Sequence, residues 1–127
     1  MILRRRTAYA QAHGLGAAGH GTGHWRAQRV SALALVPLAL WLGLSLFGGA
    51  ATDRAALAGF LGQPVNAILM VLSLLAAFHH AALGLQVVAE DYIHTPARFA
   101  AIALIRLSCI AGATAGIVAT LTMALAG

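Results

Sequence analysis

The sequence contains no lysine and very little charge of either sign. Only 9% of its 127 residues are charged, where a soluble domain carries about a quarter. That shortage excludes an ordinary water-soluble globule and points to lipid as the solvent. Cysteine is nearly as scarce. Cys109 stands alone, so this chain's thiols can build no disulfide, zinc site or iron–sulfur cluster. Its expected part is that of a small packing residue. Asp53, Glu90 and Asp91 are the only acids. Alternation of polar and apolar residues is missing too, which argues against the strands of a membrane barrel.

What is present is hydrocarbon. Hydrophobic residues make up 61% of the chain and gather in runs near 30–49, 65–89 and 99–126. Each run reaches the roughly 20 residues that a helix needs to cross a bilayer core. The expected fold is an all-α membrane protein with three transmembrane helices, spanning about 29–49, 65–90 and 98–126. These form a unit over 25–127, preceded by a flexible cytoplasmic segment over 1–24. The polar lead-in is longer than the charged start of a signal peptide, so the first run reads as a retained helix. The same lead-in is too rich in glycine for the amphipathic helix of a mitochondrial transit peptide. A bacterial cell membrane is the better address.

All eight basic residues are arginines, giving a net charge of +5. Arg4, Arg5, Arg6, Arg26 and Arg29 precede the first span, and Arg98 lies in the 90–98 connection. Arg54 faces Asp53 across one peptide bond in the 49–64 connection, and Arg106 lies further into the third span. The positive-inside rule then puts the N-terminus and the 90–98 connection in the cytoplasm, with the C-terminus in the periplasm. Topology explains this basicity without nucleic acid, because no soluble basic domain exists to hold a duplex.

Residues 13–24 carry His13, His20 and His24 among glycines at 14, 16, 19, 21 and 23. So many glycines disfavour a stable helix, and the histidine spacing matches no closed metal site. Trp25 suits the membrane interface. Pro37 should kink the first helix or free a carbonyl, while Pro64 and Pro96 suit the starts of the second and third. The 49–64 connection reads as a short outer loop with at most one helical turn. Gly112 and Gly116, four apart in the last span, favour close helix packing.

Residues 78–92, Phe-His-His-Ala-Ala-Leu-Gly-Leu-Gln-Val-Val-Ala-Glu-Asp-Tyr, bear the chemistry. Histidine within hydrocarbon is costly and marks a functional site by default. His79 and His80 are adjacent, so on a helix they point about 100° apart and only one can serve a given ligand. Gly84 follows His80 by four residues and removes a side chain from nearly the same face, as a flat macrocycle would need. His80 can be a haem ligand or simply a bundle histidine held by hydrogen bonds. Asp91 lies eleven residues beyond His80, about 16 Å along the axis and on the same face. With Tyr92 it can hold a quinone carbonyl, or the pair can be a belt residue beside a terminal charge. Arg29, or equally Arg26, can pair with a carboxylate or mark topology.

The motif His24-Trp25-x-x-Gln28-Arg29-Val-Ser-Ala with Pro37 eight residues on, then His80-x-x-x-Gly84 and Asp91-Tyr92, resembles the D-type cytochrome b anchor of bacterial succinate:quinone oxidoreductase. The resemblance covers the whole chain, although the glycine- and histidine-containing lead-in is longer than in some members. It implies half of a helical bundle that binds haem b jointly with a C-type anchor. His80 would supply one axial ligand to the haem iron, Arg29 would meet a propionate and Gly84 would admit the ring. Tyr92 and Asp91 would contribute to a ubiquinone pocket. The implied partners are a flavoprotein subunit, an iron–sulfur subunit and the C-type anchor. Succinate would be oxidised in the soluble part and quinone reduced at the cytoplasmic face. The alternatives are a fumarate reductase anchor using menaquinone, or a small non-redox transporter or accessory subunit. Three spans without an inverted repeat are too few to enclose a transport pathway.

Overall fold

The protein is described by a computed structural model over residues 21–126. The expectations for Arg4–Arg6, His13 and His20 lie outside the described residues. Four helices follow in order: α1 (Gly21–Phe47), α2 (Arg54–Leu61), α3 (Pro64–Tyr92) and α4 (Ala97–Ala126). No strand occurs among the described residues. Three helices are long and apolar enough to cross a membrane: Thr22–Phe47, Pro64–Tyr92 and Ala97–Ala126, with mean hydropathy 2.1, 2.0 and 1.9. The chain is a multi-pass, all-helical membrane protein.

Helix α1 already includes Gly21 and Gly23, upstream of the start expected near Trp25. The helix also runs through Pro37. Its C-terminal carbonyls are capped where the chain turns, with Gly48 N donating to Leu44 O at 2.9 Å and Ala50 N to Ser45 O at 3.0 Å. Gly49 makes this possible by taking φ of 89°, in the left-handed region.

The 49–64 connection holds more helix than expected. Asp53 accepts from Ala56 N at 2.8 Å as the N-cap of α2, which has eight residues rather than a single turn. The run Ala55, Ala56, Leu57 and Ala58 has high helix propensity, and the cap supplies the missing start. Phe60 of α2 stacks on Trp41 of α1 at 5.8 Å, and Leu61 is only 3% exposed. Asn66 Nδ2 donates to Phe60 O at 3.0 Å, tying α2 to the start of α3. Pro64 occupies the first turn of α3, as its fixed φ favours.

Helix α3 packs against both α1 and α4, whereas the α1 and α4 backbones stay apart among the described residues. The packing lacks a conventional core. Among the described residues no large side chain is fully buried, and the buried ones are Ser31, Leu61, Ser73, Ala89 and Thr120. Lipid tails are as apolar as leucine, so helices associate through close packing of small residues instead. Gly112 and Gly116 of α4 show this directly. A Cβ on Gly112 would stand 2.5 Å from the Phe78 ring, and one on Gly116 would stand 3.0 Å from Leu74. Ser45, Ser73, Thr114 and Thr120 return their hydroxyls to carbonyls four residues earlier at 2.7–2.8 Å, so none is stranded in hydrocarbon.

Gly112→Leu should therefore wedge α3 and α4 apart and destabilise the full chain in detergent by about 1–3 kcal/mol. Gly43, whose added Cβ would meet nothing within 4 Å, provides the control. Gly43→Leu should stay within about 0.5 kcal/mol of the parent in the same thermal or denaturant melt. Equal losses would show that the α3–α4 contact does not set the packing.

Candidate functional site

His24, Gln28 and Ser31 recur at positions i, i+4 and i+7 of α1 and so share one face. His80 and Gly84 share a face of α3 by the same rule. The two faces meet. Ser31 Oγ lies 3.0 Å from His80 Nδ1 and also 3.0 Å from the Gln28 carbonyl oxygen of its own helix. Ser31 is only 6% exposed, and His80 is half-buried. The contact to Ser31 is the ring's sole hydrogen bond among the described residues, so Nε2 is uncommitted. Gly84 also belongs to this contact. The Gln28 amide nitrogen is 3.5 Å from where a Gly84 Cβ would stand. That is ordinary contact distance, so the packing of α1 does not by itself require glycine at 84.

Two buried polar atoms here have no partner among the described residues: His24 Nε2 and Gln28 Oε1. An unmet polar atom costs free energy in a lipid-surrounded site, so both are suited to a polar group that the chain does not supply. Together with the free Nε2, they make this face chemically fit for a metal-centred macrocycle with polar substituents.

His79 turns elsewhere. It is exposed and lines two grooves. One, of about 380 Å³, lies between α3 and α4 beside Phe78, Gln86, Arg106 and Cys109. The other, of about 670 Å³, lies between α1 and α3 beside Arg26, Val30 and Ser31. His80 lines neither. Arg29 is exposed, with its guanidinium 5.1 Å from the Trp25 ring centroid in a cation–π contact. Arg26 and Arg29 thus differ in placement, Arg26 facing the groove.

Asp91 and Tyr92 close α3 side by side, both exposed, with Tyr92 at 83%. The described chain alone builds no pocket around them. Among the described residues, no three His, Cys, Asp or Glu side chains gather as a metal site.

One polar chain escaped the sequence reading. Arg106 of α4 donates to Gln86 Oε1 of α3 through Nε at 3.2 Å and Nη2 at 2.6 Å. Gln86 Nε2 in turn donates to Glu90 Oε1 at 2.8 Å. A cation inside an apolar run needs such partners. The available signal was the pair Gln86 and Glu90, one turn apart on the neighbouring helix.

Residues 4–122 match the family described as succinate dehydrogenase/fumarate reductase transmembrane subunit. The chain belongs to this family. It is 35% identical over 88 residues to the succinate dehydrogenase hydrophobic membrane anchor subunit of Rickettsia bellii, covering 69% of this chain and 70% of the relative. The subunit of the same name from Rickettsia conorii is 29% identical over 121 residues, covering 94% and 96%. No solved structure gives a significant match. Membership makes this chain one membrane subunit of a larger assembly, which accords with a site whose groups lie at its surface.

The Arg106–Gln86 bond should be measurable. Arg106→Leu and Gln86→Leu, singly and together, should yield a coupling of roughly 0.5–1.5 kcal/mol in reversible unfolding of the full chain in micelles. Strictly additive losses would show that the pair does not form.

Proposed function

We propose that this chain is the hydrophobic anchor of a succinate dehydrogenase, holding one side of a haem b and part of a ubiquinone site. The observation that carries this reading is His80, a histidine within a membrane span whose Nδ1 is engaged by Ser31 while Nε2 is unbonded. That disposition suits a histidine that would hold a haem iron while an outer partner fixes its ring. The printed names of the Rickettsia relatives support the same enzyme. Those names favour succinate dehydrogenase over a fumarate reductase anchor working with menaquinone. A transporter has no support from the family.

When bound, a haem b supplies a one-electron store within the membrane. His80 would hold the iron through Nε2. A second histidine for the group would come from a C-type anchor, since His79 points about 100° away from His80. Arg29 would exchange its stacking on Trp25 for a bidentate bond to a propionate, and Arg26 is placed to share that work. Gly84 would keep a Cβ off the adjoining flank. Tyr92 would donate its hydroxyl to a quinone carbonyl while Asp91 orients it. Their exposure suits a pocket completed by the C-type anchor and the iron–sulfur subunit. The flavoprotein would oxidise succinate outside the membrane. Arg26, Arg29 and Arg98 collect at one end of the helices, favouring a bacterial inner membrane with that end cytoplasmic and the C-terminus periplasmic.

His79 offers a second ligand assignment, favoured by its place in both grooves. Single substitutions separate the two. His80→Ala should abolish or shift the b-type absorbance of the assembled complex, while His79→Ala retains it. The reverse pattern would transfer the role to His79, and equal loss would remove both assignments.

Tyr92→Phe should impair quinone reduction by roughly 10²-fold or more, the contribution typical of a positioned proton donor. Succinate oxidation with an artificial acceptor should survive. Unchanged quinone activity would take Tyr92 out of the site.

A further inference from the structure

We propose that Ser31 is a positioning residue that locks the His80 imidazole in the tautomer with a protonated Nδ1 and a bare Nε2. The consequence for haem rests on the ligand reading above; the tautomer itself does not. The inference starts from proton bookkeeping at one hydroxyl. Ser31 Oγ has two polar neighbours at the same distance, the Gln28 carbonyl and His80 Nδ1, each at 3.0 Å. A serine hydroxyl owns one proton, and a carbonyl oxygen can only accept. The proton therefore goes to Gln28 O, in the return bond that serines make to the preceding turn of a helix. Oγ is left as an acceptor, so the contact with His80 requires the proton to sit on Nδ1.

A neutral imidazole has a single N–H. Placing it on Nδ1 leaves Nε2 with its lone pair in the ring plane, as metal coordination demands. The neutral ring is the form that binds a metal. Ser31 is 6% exposed, so little water can replace the hydroxyl. No carboxylate competes for the position. Asp91 is eleven residues further along α3, and Glu90 accepts from Gln86. A hydroxyl acceptor draws the Nδ1 proton only gently. It fixes the ring without pushing it toward imidazolate, so the ligand stays a moderate electron donor.

Ser31→Ala removes the acceptor and leaves Nδ1–H unmet in a dry site. In the assembled complex, haem affinity should fall by roughly 10–100-fold, the usual effect of losing such an outer partner. The midpoint potential of any haem retained should rise, because a less basic imidazole stabilises ferric iron less. Ser31→Thr keeps the hydroxyl and should restore both readings. Co-purification of the other subunits checks that each variant assembles. Haem content and potential unchanged in Ser31→Ala, with haem present, would overturn the proposal. So would a failure of Ser31→Thr to restore them.

Nitrogen NMR of the full chain in micelles, labelled at histidine and free of haem, reads the tautomer separately. His80 should carry its proton on Nδ1 in the parent, and Ser31→Ala should release it to a mixture. A proton on Nε2 in the parent overturns the proposal. If the wild-type complex contained no haem, the ligand reading would fail, and the nitrogen spectrum would still decide the tautomer.

Discussion

The nearness of α3 to its neighbours governs everything else in this chain, and glycine sets that distance. Between helices surrounded by lipid there is no water to expel, so association depends on how closely backbones approach and which polar groups they share. Gly112 and Gly116 let the Phe78 ring and Leu74 lie against α4 where any Cβ would collide or crowd. That contact fixes the rotation of α3 about its axis. His80, two residues after Phe78, is about 200° further round the helix and so is turned from α4 toward α1. His79 falls between, where it borders open grooves on both sides. The roles available to two adjacent histidines thus follow from a glycine stripe on another helix.

A second constraint is that polar groups within the spans need partners. The hydroxyls of Ser45, Ser73, Thr114 and Thr120 are met by their own helices. Arg106 is met by Gln86 and, through it, by Glu90. His80 is met by Ser31 on one nitrogen only. His24 Nε2 and Gln28 Oε1 are the buried side-chain atoms left over, and both lie on the α1 face that carries Ser31. Incompleteness is concentrated in one place. That pattern is expected of a subunit whose site is closed by something from outside it, and it accords with a family of membrane subunits.

Much of this was legible in the residues, for identifiable reasons. Spans are readable because lipid tolerates only unbroken apolar helices. Pro64 at a helix start and the Gly112/Gly116 stripe kept their local meanings. The eight-residue α2 was underestimated, since its strength comes from the Asp53 cap acting with an alanine-rich run. The part played by Ser31 was not legible. A serine in an apolar helix usually bonds to its own backbone, and its second contact spans 49 positions of sequence. Gly84 illustrates the same limit: its residue type signalled close approach, yet within the chain its neighbour Gln28 stays at ordinary contact distance from an added Cβ.

By itself, the sequence determined the solvent, the number of crossings and the distribution of arginines along them, because hydropathy and arginine placement are properties of single residues summed along a chain. It also determined that an imidazole would sit at depth and that an acid–tyrosine pair would end the same helix. Only the tertiary structure decided which neighbour each histidine nitrogen meets, and which arginine turns to a groove and which to a tryptophan. Those choices depend on the rotation of one helix against another, and that rotation is settled by steric fit between residues far apart in the chain.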